Sequence, residues 1–213
     1  MIARLSVGVT LVLSAAVLTG TFALAGQLSP TPAPPASRTI EDLKTAYKGE
    51  TTAHAKYAAY ALKAQEEGYK GAATLFRAAA EAERIHAGNH RAVLVKLGVQ
   101  PISGSYRGMP GSTAENLRDA IKGESYERDS MYPEMIKHAT AEGQTEAVRS
   151  LTYALNAERQ HAALYRQALA NLGRSGTPTV YYVAPTCGAT YANAPPAYCP
   201  TCGIPGSRFK RFQ

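Results

Sequence analysis

The sequence predicts an all-α protein, a four-helix bundle with a long crossover between its second and third helices, followed by a small cysteine-containing tail. Three observations carry this reading. Apolar residues recur at three- and four-residue steps through four stretches of near 28 residues. The two halves of this region repeat one another. Thirteen residues, Val99 to Gly111, lie between Gly98, which ends the second stretch, and Ser112, which caps the third, whereas two residues in all join each of the other pairs.

Helices are expected over 39–67, 70–97, 113–142 and 145–172. Thr39-x-x-Asp42 and Ser112-x-x-Glu115 read as capping signals. Gly68, Gly98, Gly143 and Gly173 stand where helix-ending glycines belong. Pro133 falls inside the third pattern, and because apolar spacing resumes at Ile136 it predicts a kink and not an end. The short links make antiparallel hairpins of helices one and two and of helices three and four. Thirteen extended residues reach about 43 Å, and a 28-residue helix is about 42 Å long. The connection therefore crosses the whole bundle, as in ferritin-like folds.

The repeat is visible in the residues. Ala82-Glu83-Arg84-Ile85-His86-Ala87 matches Ala157-Glu158-Arg159-Gln160-His161-Ala162, and Lys48-Gly49-Glu50 matches Lys122-Gly123-Glu124. The Glu-to-Glu intervals are 83 − 50 = 33 and 158 − 124 = 34. Two copies of one hairpin build a pseudo-twofold bundle.

Acidic residues lie on the apolar stripes. Glu158 and His161 fall in line with Leu151, Leu155, Tyr165 and Ala168; Glu83 and His86 with Ala79 and His90; Glu50 with Leu43, Tyr47 and Tyr57; Glu124 and Glu127 with Leu117, Ala120 and Met131. Five ionised carboxylates in one core are strongly unfavourable without cations, and no lysine or arginine shares those stripes at that depth. One Glu from each of two helices plus Glu-x-x-His from each of the others is the ligand set of di-iron and di-manganese bundles. A single Glu-x-x-His is more often exposed charge; two copies inside a repeat are far more specific. Glu127 has Ala53 as its repeat counterpart and is a weaker member. Tyr57 and Tyr132 either hydrogen-bond ligand carboxylates or pack the core, and His54 and His90 are core or supporting residues.

Residues 39–173 resemble the di-iron domain of rubrerythrin, most closely in Gly123-Glu124-Ser125-Tyr126-Glu127 and Met131-Tyr132-Pro133. The resemblance implies two iron ions, with manganese as an alternative, on Glu50, Glu83, His86, Glu124, Glu127, Glu158 and His161. It pairs Glu50 with Glu83 and His86, and Glu124 and Glu158 with His161, some carboxylates bridging. It implies movement of one iron between His86 and Glu127 with oxidation state. The implied activity is reduction of hydrogen peroxide in oxidative-stress defence, with Glu127, His86, Tyr57 and Tyr132 as catalytic candidates. The alternative is a ferroxidase or iron-handling protein that oxidises Fe(II) with oxygen or peroxide. A homodimer is implied, one chain's tail lying near the other's di-iron site; the electron donor is unknown.

The tail, 174–213, resembles the rubredoxin-like module of that family but departs from it. Cys199-Pro200-Thr201-Cys202-Gly203 is one full Cys-x-x-Cys pair, while Ala184-Pro185-Thr186-Cys187-Gly188 carries Ala184 in place of the first cysteine. A rubredoxin-type iron with four thiolates is therefore doubtful. Cys187, Cys199 and Cys202 remain as an altered metal site, a metal-free relic, or a Cys199–Cys202 disulfide with Cys187 left over.

Residues 1–25 read as a signal peptide: a cationic start, an uncharged run from Leu5 to Leu24, and Ala23-Leu24-Ala25 as the cleavage pattern. The proline-rich segment 26–38 is a linker. Export, to a periplasm, is expected; the alternative is a membrane anchor through residues 5–25, and the membrane is a partner only in that case. The net charge of +7 from 23 basic and 16 acidic side chains forms no stripe, which argues against nucleic-acid binding.

Overall fold

Ser37 starts the first helix. Its hydroxyl accepts the Ile40 N–H, and α1 runs Arg38–Glu66. The cap therefore lies two residues before the expected Thr39, and its third position is the apolar Ile40. The acid comes instead from across the bundle: Glu142 accepts the Ser37 hydroxyl at 2.6 Å and the Arg38 and Thr39 N–H groups at 2.8 and 3.3 Å. The computed structural model describes residues 37–174 and 180–213. The signal-peptide segment and nearly all of the linker lie outside the described residues.

The other helices are α2 (Lys70–Lys96), α3 (Thr113–Tyr126), α4 (Tyr132–Ala141) and α5 (Thr145–Ala170). Ser112 and Glu115 form the expected capping box. The four helix-ending glycines all take left-handed φ, between +67° and +83°. α1 packs on α2, while α3 and α4 pack on α5. Among the described residues, no helix is long and apolar enough to cross a membrane.

The crossover lies along α1. The Tyr47 and Ser103 hydroxyls meet at 2.8 Å, the Gly104 N–H donates to Thr51 Oγ1 at 2.7 Å, and the Tyr106 ring sits edge-on to Tyr60. Gly104 is required there, because a Cβ would stand 2.0 Å from Thr52 Oγ1 and 2.4 Å from the Lys48 carbonyl. At its far end, Glu67 accepts the Thr113 N–H and hydroxyl at 2.8 and 2.6 Å. Glu67 thus does for α3 what Glu142 does for α1, and 142 − 67 = 75 again reflects the repeat.

Those contacts hold the Glu142 carboxyl down at about 2, the Ser37 hydroxyl first among them, from an ordinary 4.5. A depressed folded value means the stabilisation is complete above about pH 4.5 and is lost as pH falls toward 2. Protection factors in the first turn of α1, taken relative to intrinsic exchange at each pH, are expected to fall through that window. Glu142→Gln should show the faster exchange already at neutral pH; unchanged protection would remove this cap from the account.

The break expected at Pro133 appears as a π-helical segment, Glu127–Met131, between α3 and α4. The Tyr132 N–H reaches back five residues to the Glu127 carbonyl, which takes up one extra residue. Pro133 follows in the first turn of α4, where its missing N–H is tolerated. This insertion explains the unequal repeat. Glu50 to Tyr57 is 7 residues and Glu124 to Tyr132 is 8, as the Glu-to-Glu intervals are 33 and 34.

Two apolar plugs fill the bundle. One is built on Tyr57, Phe76, Leu117 and Tyr165, the other on Leu43, Leu94, Tyr132 and Leu151. In each helix the stripe glutamates and histidines fall between these two sets.

The tail is a three-stranded antiparallel sheet, with β1 (Tyr181–Val183) between β2 (Thr190–Ala192) and β3 (Lys210–Phe212). Tyr181 and Val183 insert into the first apolar plug. Asn89 donates to the Thr186 carbonyl at 3.0 Å, and Lys210 pairs with Glu81 at 3.1 Å. Bundle and tail belong to one compact unit.

Candidate metal centre

Six stripe residues converge. Glu50, Glu83, His86, Glu124, Glu158 and His161 are each at most 1% exposed. Their ligand atoms form two groups, Glu50/Glu83/His86/Glu158 and Glu83/Glu124/Glu158/His161, with all atoms of a group within 4.8 Å of one another. The i, i+3 spacing on α2 and α5 aims each Glu and His of a pair at one point.

Glu83 and Glu158 belong to both groups. Glu83 places Oε2 2.9 Å from His86 Nδ1 and Oε1 3.4 Å from His161 Nδ1. Glu158 places Oε1 3.0 Å from His86 Nδ1 and Oε2 2.8 Å from His161 Nδ1. Each carboxylate turns one oxygen to each half, the geometry of a bridge. Glu50 and Glu124 serve one half each, which refines the expected pairing by adding Glu158 to the group of Glu50 and Glu83 to that of Glu124.

Glu127 is not brought into either group. It is half-buried and lines an open cleft of about 490 Å³ with Lys48, Gly49, Ala53, Lys56 and Gly123. Burial, and then repulsion from Glu50, Glu124, Glu158 and Glu83, pushes its carboxyl well above the usual range.

The electrostatics are those of a crowded acidic core. Burial raises Glu50 to about 7, with Glu83 adding repulsion against the lowering contacts of His86 and Tyr132. Glu158 is raised as well, by burial and by Glu83. Burial opposes ionisation of Glu83, but the imidazoles of His161 and His86 outweigh it and hold that carboxyl at about 2. Burial also disfavours the charged forms of His86 and His161, yet the surrounding carboxylates raise both.

Hydrogen bonding within the cluster is incomplete. Glu50 Oε2, both oxygens of Glu83, Glu124 Oε2, Glu158 Oε1 and His86 Nδ1 are buried without a hydrogen-bond partner. His86 Nδ1 has close oxygens, but none is aligned to accept from it. Six such atoms around two centres carry a large desolvation penalty, which a pair of divalent cations would remove. Oxygen donors with imidazole nitrogen suit iron or manganese, so the residues present fit a two-metal centre.

The tail orients both histidines. His86 Nε2 is 3.2 Å from the Cys187 carbonyl, which only accepts, so Nε2 carries a proton and Nδ1 faces the cluster. His161 Nε2 is 3.0 Å from Thr190 Oγ1, and that hydroxyl donates to the Gly188 carbonyl at 2.9 Å. Nε2 of His161 is therefore the donor again, and its Nδ1 is turned inward. Gln160 holds Thr190 by accepting its N–H at 2.9 Å.

Tyr57 donates to Glu124 Oε1 at 2.6 Å and Tyr132 donates to Glu50 Oε1. Both tyrosines fill both of the roles left open for them, each bonding a cluster carboxylate and each packing an apolar plug. Behind Tyr132, His90 Nε2 lies 3.3 Å from its hydroxyl and Nδ1 lies 2.8 Å from Ser150 Oγ. Burial lowers His90 to about 3, so it is neutral, taking the Ser150 proton at Nδ1 and donating from Nε2. His54 bonds the Ala80 carbonyl at 2.7 Å and stands outside the cluster.

Sequence reasoning missed Thr190, Ser150, Gln160 and the Cys187 carbonyl. The signal that could have found the Cys187 carbonyl is Gly188, where a Cβ would stand 2.3 Å from His86 Nε2.

A long-crossover helical bundle with two Glu-x-x-His pairs and two further glutamates around one centre defines a ferritin-like protein of the carboxylate-bridged two-metal class. The rubrerythrin family profile matches residues 41–169. The chain is 35% identical over 178 residues to Rubrerythrin-2 of Clostridium acetobutylicum, covering 82% of this chain and 96% of that protein. It is 35% identical over 175 residues to nigerythrin of Nitratidesulfovibrio vulgaris, covering 82% and 86%. The structure of fully reduced, all-ferrous nigerythrin aligns with a TM-score of 0.77 at 34% identity, covering 86% of this chain and 91% of that one. The protein belongs to the rubrerythrin family. Membership implies di-iron binding and places it among di-iron oxidoreductases.

Proposed function

We propose that this chain is an exported peroxidase that reduces hydrogen peroxide to water at a di-iron centre held by Glu50, Glu83, His86, Glu124, Glu158 and His161, with Glu127 as a further ligand. The observation that carries the proposal is the cleft. The cluster lies between the two apolar plugs, and Glu127 and Tyr57, which bonds its Glu124, line an open cleft together with the small residues Gly49, Ala53 and Gly123. Small lining residues admit a small molecule, and Lys48 and Lys56 border the same cleft. Two ferrous ions supply the two electrons that cleavage of a peroxide O–O bond consumes, alongside two protons, to give two waters.

The chain's residues supply position and protons. Tyr57 and Tyr132 fix Glu124 and Glu50 by donation, while the Cys187 carbonyl and Thr190 hold the imidazoles. Glu127 lines the cleft beside the centre, where its carboxyl is placed to exchange a proton with a molecule that enters. Export rests on the leader-like residues 1–25, and a homodimer on the resemblance to the family; cell fractionation and sedimentation test them.

Ala184 favours a second reading. With the fourth thiolate missing, the usual route for electrons into the centre is absent, and a ferroxidase needs none. Anaerobically reduced, iron-loaded protein should consume peroxide through many cycles while an artificial reductant is supplied. Glu127→Ala should slow this by about 10²-fold. Consumption that stops after one equivalent per centre, whatever the reductant, would select the ferroxidase.

A further inference from the structure

The two loops of the tail are copies of one turn. In the first, the Ala184 N–H donates to the Ala189 carbonyl and the Gly188 N–H returns to the Ala184 carbonyl, both at 2.9 Å. In the second, the Cys199 N–H donates to the Ile204 carbonyl and the Gly203 N–H to the Cys199 carbonyl, both at 2.8 Å. Gly188 and Gly203 have φ of +76° and +77°. Each turn reads x-Pro-Thr-Cys-Gly, and only the first residue differs. Ala184 therefore occupies in its turn the place that Cys199 occupies in the other.

The three sulfurs are gathered. Cys187, Cys199 and Cys202 lie within 4.8 Å of one another, Cys187 and Cys199 at 3.6 Å, and all three are free thiols. A tetrahedral ion with metal–sulfur bonds of ~2.3 Å sets its sulfurs ~3.8 Å apart, close to the observed spacing and far from a disulfide of about 2.05 Å. Against burial, the Cys202 and Thr201 N–H groups lower the Cys199 thiol, while burial raises Cys187 and Cys202 in spite of the N–H groups of Ala189 and Ile204. Tyr191 lies near the three sulfurs, whose charge it feels, and its hydroxyl neighbours Gln160, which commits Oε1 to the Thr190 amide.

We propose that Cys187, Cys199 and Cys202 form a three-thiolate site for a d10 divalent cation of the zinc class, with a small exogenous ligand such as water completing the tetrahedron beside Ala184. A closed-shell ion imposes no geometry of its own and accepts a water at its fourth corner, and soft thiolates select it. An ion of this kind carries no electrons. It braces the turn whose Cys187 carbonyl orients His86, so the tail becomes a structural clamp on the metal centre and not its electron donor.

Cobalt(II) titration of the reduced, metal-free full-length chain tests this, because the thiolate-to-cobalt charge-transfer band ignores cobalt bound to carboxylates. The band should saturate at one cobalt per chain and disappear on addition of zinc. Azide should shift the ligand-field bands. Ala184→Cys should raise the charge-transfer intensity by about one third, from three thiolates to four, and abolish the azide response. A chain with three titratable thiols and no such band would overturn the proposal. So would a wild-type band as intense as that of Ala184→Cys and blind to azide, or a red tetrathiolate iron in the wild-type protein. None of these results depends on the di-iron reading, which peroxide turnover tests separately.

Discussion

Replacing Glu158 by leucine should stabilise the metal-free protein and abolish its response to metal. Glu158 is fully buried, its Oε1 has no hydrogen-bond partner, and it sits beside Glu83 and Glu124. Four carboxylates crowd two imidazoles, and without Glu158 His86 still faces Glu50 and Glu83 while His161 still faces Glu83 and Glu124. The variant therefore leaves no charge unpaired and removes a buried unsatisfied acceptor that costs about 1–3 kcal/mol. With metal the sign reverses. Because Glu158 serves both halves of the cluster, the variant should lose both ions. Wild-type protein at a thousandfold excess of metal over Kd gains about 4 kcal/mol by mass action, and Glu158→Leu should gain almost nothing. Thermal unfolding with and without ferrous or manganous ion measures both numbers. If the variant is destabilised equally in the two conditions, the cluster is a packed polar core and the two-metal reading fails.

The sequence was legible wherever a side chain's place follows from helical periodicity. The six converging ligands each sit on an apolar stripe at three- and four-residue steps, so their meeting in one core follows from the pattern. The same holds for the crossover, whose length matches the helix it spans. The π-helical turn was present in the numbers as the mismatch of 33 against 34 residues, but a one-residue mismatch does not say where along α3 the extra residue enters. Pro133 marked the neighbourhood and not the turn. Hidden altogether was the grip of the tail on the histidines. The Cys187 carbonyl is a backbone atom with no residue identity, and Thr190 is ordinary strand composition. Their role depends on where a three-stranded sheet docks, which local pattern does not specify. The start of α1 misled for a related reason: its anion comes from Glu142, more than a hundred residues away, while Asp42 in the expected position instead bonds His138 at 2.7 Å.

A matched pair of glycine substitutions should show how much the centre depends on that grip. Gly188 and Gly203 hold the same left-handed conformation in the two copied turns, so alanine at either incurs the same backbone strain, about 1–2 kcal/mol. Their surroundings differ. A Cβ at Gly203 meets nothing within 4 Å, whereas one at Gly188 would stand 2.3 Å from His86 Nε2. The imidazole has no room to retreat, being fully buried and set against Glu83 and Glu158. The turn must move instead, breaking the bond from His86 Nε2–H to the Cys187 carbonyl. Loss of the group that orients a ligating histidine typically lowers metal affinity by about 10–100-fold. Gly188→Ala is therefore expected to weaken iron or manganese binding by that factor in a chelator competition, with Gly203→Ala close to wild type at the carboxylate centre. Equal affinities in the two variants would mean that the inward Nδ1 of His86 is set by the helices alone. The weaker binding of Gly188→Ala would make the tail part of the metal centre, whether or not it ever carries an electron.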